Sequence, residues 1–200
     1  MKNREFAVVV AVLATLVGHP ACATPQFFPG TGHYYDVVTD WSGPDWSTAR
    51  ALAEQQSWEG MPGYLACITS AAENEFIFQL TLATPTWHTA TVWEIGPWLG
   101  GYQLEGSDEP DEGWAWVSGE PWSYALWFNG QPNNDGWMGQ NEMALCYWGY
   151  AGSPAATWND YTNSPPDVSG GRVYGYVVEF GHDGTPAQST TWGAIKATFK

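Results

Sequence analysis

The sequence predicts an α+β domain, with two helices in its first half and short strands joined by long loops in its second half. Three observations indicate this class. Aromatic and aliphatic residues alternate near both ends of the domain, helix-start signals occur at residues 47 and 70, and the part beyond residue 97 is rich in Trp, Gly, Pro, Asn and Asp. Hydrophobic residues make up 44% of the chain and 14 residues are Trp, which favours a packed core over a disordered chain.

The alternation over residues 33–38 and 173–180 predicts a strand at each end of the domain, and we expect these two strands to pair. Ser47 is predicted to cap a short helix that ends at Glu54. The run Ser70-Ala71-Ala72-Glu73 is a capping box, and it predicts a second helix with an inner side formed by Phe76, Ile77 and Leu80. Further strands are predicted over 98–102, 114–117 and 142–148.

Residues 1–23 have the pattern of a secretory signal peptide. Lys2 and Arg4 precede an apolar run over residues 6–17, and Ala21-Cys22-Ala23 provides small residues for cleavage after Ala23. The run is too short to favour a membrane-spanning helix, and no other stretch is apolar enough to span. We therefore expect a secreted or extracellular protein, with the periplasm or the cell surface as alternatives. The mature chain would then consist of a lead-in over 24–31, a domain over 32–181 and a tail over 182–200.

The net charge of −15 excludes some partners, because an acidic surface repels phosphate. We expect neither nucleic acid nor anionic membranes to bind. Cys67 and Cys146 remain after cleavage, and a disulfide and two buried thiols are both open. The scattered His residues give no zinc site. No Ser/His/Asp order, zinc-protease helix or phosphate loop is present, so the chain is not expected to be an enzyme.

Amide and carboxylate oxygens are concentrated around one proline. Gln131-Pro132-Asn133 is followed by Glu142 and then by Trp158-Asn159-Asp160. Calcium takes six to eight oxygen ligands, and these side chains supply oxygen without sulfur or nitrogen. The pattern therefore indicates a Ca²⁺ site.

The order of these motifs resembles the C-type lectins, in which Glu-Pro-Asn or Gln-Pro-Asp is followed by Glu and then by Trp-Asn-Asp. Trp98-Leu99-Gly100-Gly101 is similar to the Trp-Ile-Gly-Leu segment of that family, and Gly32-His33-Tyr34-Tyr35 is similar to its bacterial members. The resemblance covers residues 32–181. It implies the C-type lectin-like fold, with two helices flanking short antiparallel sheets and a long calcium-binding loop region.

The resemblance also implies the site. Gln131, Asn133, Glu142, Asn159 and Asp160 would hold Ca²⁺, a cis bond would precede Pro132, and two neighbouring sugar hydroxyls would bind the ion and the same side chains. We expect the Asp160 carboxylate to be exposed among the loops. Five Trp residues are expected in the core: Trp98, Trp114, Trp116, Trp127 and Trp158.

The sugar class and two alternatives stay open. Gln131-Pro132-Asn133 departs from both family patterns, and Gln131 with Trp137 favours a galactose-type ligand. Trp137 either stacks on the sugar or packs beneath its turn, while Asp135 is a candidate for added charge at the site. The acidic run over 105–112 is interpreted as a solvated loop rather than a second ion site. The alternative function is a calcium-independent lectin-like scaffold that binds protein or mediates adhesion.

Overall fold

A computed structural model describes residues 24–135, 143–163 and 171–181. Four predictions lie outside these residues: the signal peptide over 1–23, the ligand Glu142, the stacking residue Trp137 and the tail over 182–200. The described residues contain two helices and ten strands. In chain order these are β1 (Gln26–Phe28), β2 (His33–Thr39), α1 (Trp46–Glu54), β3 (Ser57–Trp58), β4 (Met61–Leu65), α2 (Ala71–Leu82), β5 (His88–Ala90), β6 (Trp93–Gln103), β7 (Trp114–Trp116), β8 (Ala144–Tyr150), β9 (Ser153–Tyr161) and β10 (Gly175–Phe180).

The second helix begins where the capping box predicts. The Ser70 side chain accepts from Glu73 N at 3.2 Å and so satisfies one of the free N–H groups of the first turn. The Glu73 carboxylate does not return to the Ser70 backbone, because it accepts from Thr69 N at 2.7 Å instead. Ile77 is fully buried, and Phe76 and Leu80 are partly buried against the core, so the predicted inner side is confirmed.

The first helix begins two residues earlier than a cap at Ser47 predicts, because its cap is Asp45. Asp45 Oδ1 accepts from Thr48 N at 2.6 Å, while Ser47 Oγ donates to the same oxygen at 3.0 Å. Ser47 N donates to Asn163 Oδ1 at 3.0 Å, and this long-range contact fixes Ser47 inside the first turn. The carboxylate is therefore free to cap the helix.

Six of the ten described strands form a continuous path in the order β1-β2-β10-β6-β8-β9, while β4 also pairs with β10, β3 pairs with β4, and β5 and β7 pair with β6. Strands β2 and β10 pair antiparallel, with Val177 opposite Val37, so the predicted pairing of the two end strands is confirmed. The predicted α+β fold class is confirmed, and the sheet is mixed, because β10 and β6 are parallel where Tyr176 lies opposite Trp98. Strand β6 begins five residues before the predicted strand, because β5 and β8 both pair with its first residues.

The core is aromatic, as the Trp content predicts. Trp98, Trp114, Trp116 and Trp158 are buried, whereas Trp127 is half-buried at the rim. The rings of these residues contact one another mainly edge to face; Trp116 and Trp158, for example, have centroids 5.7 Å apart at an interplanar angle of 85°. Cys67 and Cys146 are fully buried thiols that are not joined by a disulfide, so the buried-thiol alternative is confirmed.

Two buried glutamates tie the helical side of the domain to the sheet. Glu179 of β10 accepts from Cys67 N at 2.8 Å, and its other oxygen lies 2.5 Å from His33 Nδ1. Tyr35 OH donates to Glu73 at 2.6 Å and lies 3.3 Å from Glu179. Burial raises the pKa of Glu179 to about 7, although its contacts with His33 and Cys67 oppose that rise. The sequence pattern did not predict this cluster.

Candidate functional site

The predicted site lies where a loop runs beside the edge strand β9. Trp127 forms a parallel bridge with Trp158, Trp158 N donates to Leu126 O at 2.9 Å, and Phe128 N donates to Trp158 O at 2.8 Å. The loop then turns back, because Gln131 N donates to Phe128 O at 2.9 Å. Backbone hydrogen bonds therefore place the Gln-Pro-Asn segment next to the Trp-Asn-Asp segment, 27 residues further along the chain.

Asp160 fixes this loop in place. Its two carboxylate oxygens accept from Asn133 N at 3.2 and 3.0 Å, and one of them also accepts from Asn134 N at 2.7 Å. Asp160 is only 1% exposed, so the expectation of an exposed carboxylate was wrong. The reason is that the turn of the loop folds over the carboxylate and supplies donors to it. Burial raises the pKa of Asp160, and the N–H groups of Asn134 and Asn133 partly offset this.

Two side-chain amide oxygens at the site are buried without a hydrogen-bond partner in the described structure. They are Gln131 Oε1 and Asn159 Oδ1, and both belong to the predicted ligand set. Such an orphaned acceptor costs about 1–3 kcal/mol in desolvation. Asn159 Nδ2 donates to the Asp160 carbonyl, which leaves the Asn159 oxygen directed elsewhere. A cation beside these two oxygens would satisfy both, so the donor set fits a hard metal ion.

Asn133 is the exposed member of the set. Its Oδ1 accepts from Asp135 N at 2.9 Å, in the local turn that Asn side chains favour. The Gln131–Pro132 bond is cis, as the resemblance implies. Asn134 was not predicted to take part, yet it donates to Asp160 with a φ of 49°. Asn tolerates this left-handed conformation better than most residues, so a second Asn after Pro132 is the sequence signal for it.

The acidic loop over 105–112 is exposed to solvent. Its carboxylates, those of Glu105, Asp108, Glu109, Asp111 and Glu112, are all exposed. The described residues contain no group of three or more His, Cys, Asp or Glu arranged to hold a metal. Gln103 Nε2 anchors the loop from beneath by donating to Pro110 O at 3.2 Å and to Glu112 O at 2.8 Å. The interpretation as a solvated loop is confirmed.

A cavity of about 310 Å³ lies elsewhere, beside the start of α1. It is lined by Trp46, Ser47, Tyr102, Gln103, Met143, Ala144 and Asn163. None of the predicted ligands that the structure describes is among them. The candidate site is a loop against a sheet edge, in which Asn133 is exposed and Asn159 and Asp160 are buried.

Solved structures with this arrangement have a common fold. CEL-I, a C-type lectin from Cucumaria echinata, superposes with a TM-score of 0.57 and 20% identity over 81% of this chain and 99% of its own. Human lithostathine superposes with a TM-score of 0.55 and 16% identity, over 86% of this chain and 97% of its own. The C-type carbohydrate-recognition domain of cow CD23 was solved in the presence of a GlcNAc2Man3 oligosaccharide. It superposes with a TM-score of 0.50 and 22% identity, over 74% of this chain and 86% of its own. The chain has the C-type lectin-like fold.

At these identities the likeness to solved structures concerns the C-type lectin-like fold alone. No protein-family model matches the sequence. Halomucin from Haloquadratum walsbyi is 30% identical over 164 residues, which cover 75% of this chain and 1% of halomucin. The chain therefore corresponds to about one hundredth of that relative. Neither helix in the described part of the C-type lectin-like domain is long and apolar enough to cross a membrane.

Proposed function

We propose that this C-type lectin-like domain is an exported, calcium-dependent carbohydrate-binding module. The observation that supports this most is that two of the predicted ligands, Gln131 and Asn159, have buried side-chain oxygens without a hydrogen-bond partner in the described structure, in two segments that Asp160 joins by hydrogen bonds. A cation held by both segments would satisfy these two acceptors, which are two of the nine buried side-chain polar atoms without a partner in the described residues.

Each residue has a part in this proposal. Gln131, Asn133, Glu142, Asn159 and Asp160 would hold the ion, and Asp160 and Glu142 carry its formal charges. A carboxylate offers about four lone-pair positions, and three N–H contacts already occupy most of those on Asp160. We therefore expect weaker calcium binding than in a site with three carboxylates. The bound ion would supply a centre that attracts vicinal sugar hydroxyls.

Other observations agree with a binding module. CEL-I is a lectin and the CD23 domain is a carbohydrate-recognition domain, and both share this fold. The acidic surface does not favour nucleic acid or anionic membranes, and the motifs in the sequence give no catalytic set. Calcium dependence, export and the absence of enzyme activity belong to the proposal and not to the fold.

One observation favours the alternative of a calcium-independent scaffold for protein binding or adhesion. The carboxylate of Asp160 already receives N–H groups from Asn133 and Asn134, and Asn133 Oδ1 already accepts from Asp135 N. The loop is thus held by the protein's own donors. On this alternative, retention on a ligand matrix would be the same with and without chelator.

Two measurements test the calcium proposal. Since an ion that binds only the folded state adds RT ln(1 + [L]/Kd), the melting temperature should rise with millimolar calcium and fall with EDTA. Asp160→Asn keeps the shape and removes one charge, so it should abolish that rise and calcium-dependent retention on a glycan array. Asp108→Asn in the exposed acidic loop is the matched control and should change neither. Equal melting temperatures in calcium and EDTA for the unmodified domain would overturn the site.

A further inference from the structure

Three aromatic rings form a partly exposed surface at one end of strands β6 and β8. Trp93 and Tyr150 lie opposite each other in the sheet, with stacked rings 5.7 Å apart at 23°. Phe128 meets Tyr150 edge to face at 5.0 Å and Trp93 at 5.8 Å. We call Trp93, Phe128 and Tyr150 the aromatic surface. Because each ring contacts the other two, binding a ligand there would cost little side-chain entropy.

This aromatic surface is open to solvent. Tyr150 is 59% exposed, which is unusual for a ring with two aromatic contacts. The turn after it carries only small residues, and a Cβ added at Gly152 would have no neighbour within 4 Å. Gly152 N donates to Glu94 Oε1 at 2.8 Å and Ala151 N donates to Val92 O at 3.0 Å, so the turn is fixed in a position that keeps Tyr150 clear.

The aromatic surface and the proposed calcium site are linked by one short loop segment. Phe128 O accepts from Gln131 N in the turn that leads into the Gln-Pro-Asn segment. Phe128 N donates to the carbonyl of Trp158, the residue before Asn159. One short segment, residues 126–131, therefore contributes a ring to the surface at one end and a predicted ligand to the site at the other.

We propose that the aromatic surface is a second sugar subsite, which stacks on a further residue of the same glycan whose first sugar is held at the calcium site. This inference rests on the proposed function. A pyranose presents C–H groups on one face and hydroxyls at its edge, which suits exposed rings next to a phenol hydroxyl. Three rings are far smaller than the ~800 Å² per partner of a standard protein interface, so a sugar residue is the better match.

The test compares ligands of different length on three variants. Methyl galactoside and galactose oligomers of increasing length are titrated in calcium against the unmodified domain, Tyr150→Ala and Trp41→Ala, and the series is repeated with mannose. Trp41 is a suitable control, because it is 66% exposed and packs on a different aromatic residue, Tyr174, at 5.7 Å. Circular dichroism checks that each variant is folded.

Tyr150→Ala should weaken binding of the longer oligomers about five- to tenfold, as the loss of roughly 50 Å² of apolar contact implies, and leave methyl glycoside binding unchanged. Trp41→Ala should change neither, and Tyr150→Phe should keep most of the affinity. Two outcomes would overturn the subsite and leave the calcium site standing. In the first, calcium-dependent affinity does not increase with ligand length. In the second, Tyr150→Ala lowers the affinity for methyl glycoside and for oligomer equally. Failure of every monosaccharide to bind in calcium overturns the proposed function itself.

Discussion

Replacement of Trp158 by Ala should remove a large fraction of the domain's free energy of unfolding, because this side chain lies at the centre of the aromatic core. It is 0% exposed and meets the rings of Trp116, Trp122, Tyr124 and Trp127 at centroid distances of 5.5 to 6.1 Å. Removing a buried Trp costs about 3–5 kcal/mol, from lost burial and from the cavity that remains.

The hydrogen bond of the Trp158 indole adds little to that figure. Its Nε1 donates to Asn74 Oδ1 at 3.0 Å, but Tyr147 OH donates to the same oxygen at 2.9 Å and would keep it satisfied. For a domain of this size, about 3–5 kcal/mol corresponds to a melting temperature lower by about 6–20 °C. The calcium site should weaken as well, because the Trp127 ring, in the loop that leads to Gln131, would lose its contact with the Trp158 ring.

Thermal unfolding followed by circular dichroism, in calcium and in EDTA, measures this effect. Trp41→Ala is the matched control, since its ring is 66% exposed and such substitutions usually change stability by less than about 0.5 kcal/mol. The hypothesis that the Trp cluster is the main core of the domain would be refuted if Trp158→Ala lowered the melting temperature by less than about 3 °C, or if Trp41→Ala lowered it by the same amount.

Three further predictions concern other parts of the molecule. Burial raises the pKa of Glu179 to about 7, so its stabilising contribution is complete below the pKa of the unfolded state, near 4.5, and is lost as the pH rises through 7. The melting temperature should therefore fall as the pH rises over this range. Glu179→Gln should flatten the plot of melting temperature against pH. Gly100→Ala should destabilise the domain by more than about 1 kcal/mol in urea unfolding, because the new Cβ would collide with the Leu65 carbonyl. Gly60→Ala is the comparison: a Cβ at Gly60 would lie in open space, but the φ of 84° there means that the substitution should cost only backbone strain. Gln131→Glu should tighten calcium binding in titration calorimetry and shift a competition assay toward mannose, since it adds a charge and replaces a donor; an unchanged preference would mean that Gln131 does not select the sugar.

The local features of the fold were predictable because each depends on neighbouring residues. Ser70 caps α2 through an atom three residues away, and the two end strands pair because both alternate with the same period. The cap of α1 was not predictable in the same way. Asp45 and Ser47 are both good caps, and a contact with Asn163, 116 residues away, decides between them.

The proximity of the Gln-Pro-Asn and Trp-Asn-Asp segments was predictable from the sequence, whereas the burial of Asp160 was not. The oxygen-bearing residues Gln131, Asn133, Asn159 and Asp160 stand in a recognisable order, and the structure brings them to one sheet edge. Burial of Asp160 could not be read from the sequence, because it depends on how a loop 26–27 residues earlier turns over the strand. The Glu179 cluster was missed for the same reason, since its partner His33 is 146 residues away.

Asp160 links loop order to ion binding, and this decides how the two candidate functions differ. The lone pairs that accept N–H groups from Asn133 and Asn134 are the same ones that would coordinate a cation, so the loop and the ion compete for one carboxylate. If the loop bonds persist when calcium binds, the other proposed ligands would supply more of the coordination, and the unpartnered oxygens of Gln131 and Asn159 are suited to that task. A domain whose loop is already ordered would then bind its ligand with little structural change, and calcium would alter affinity more than shape.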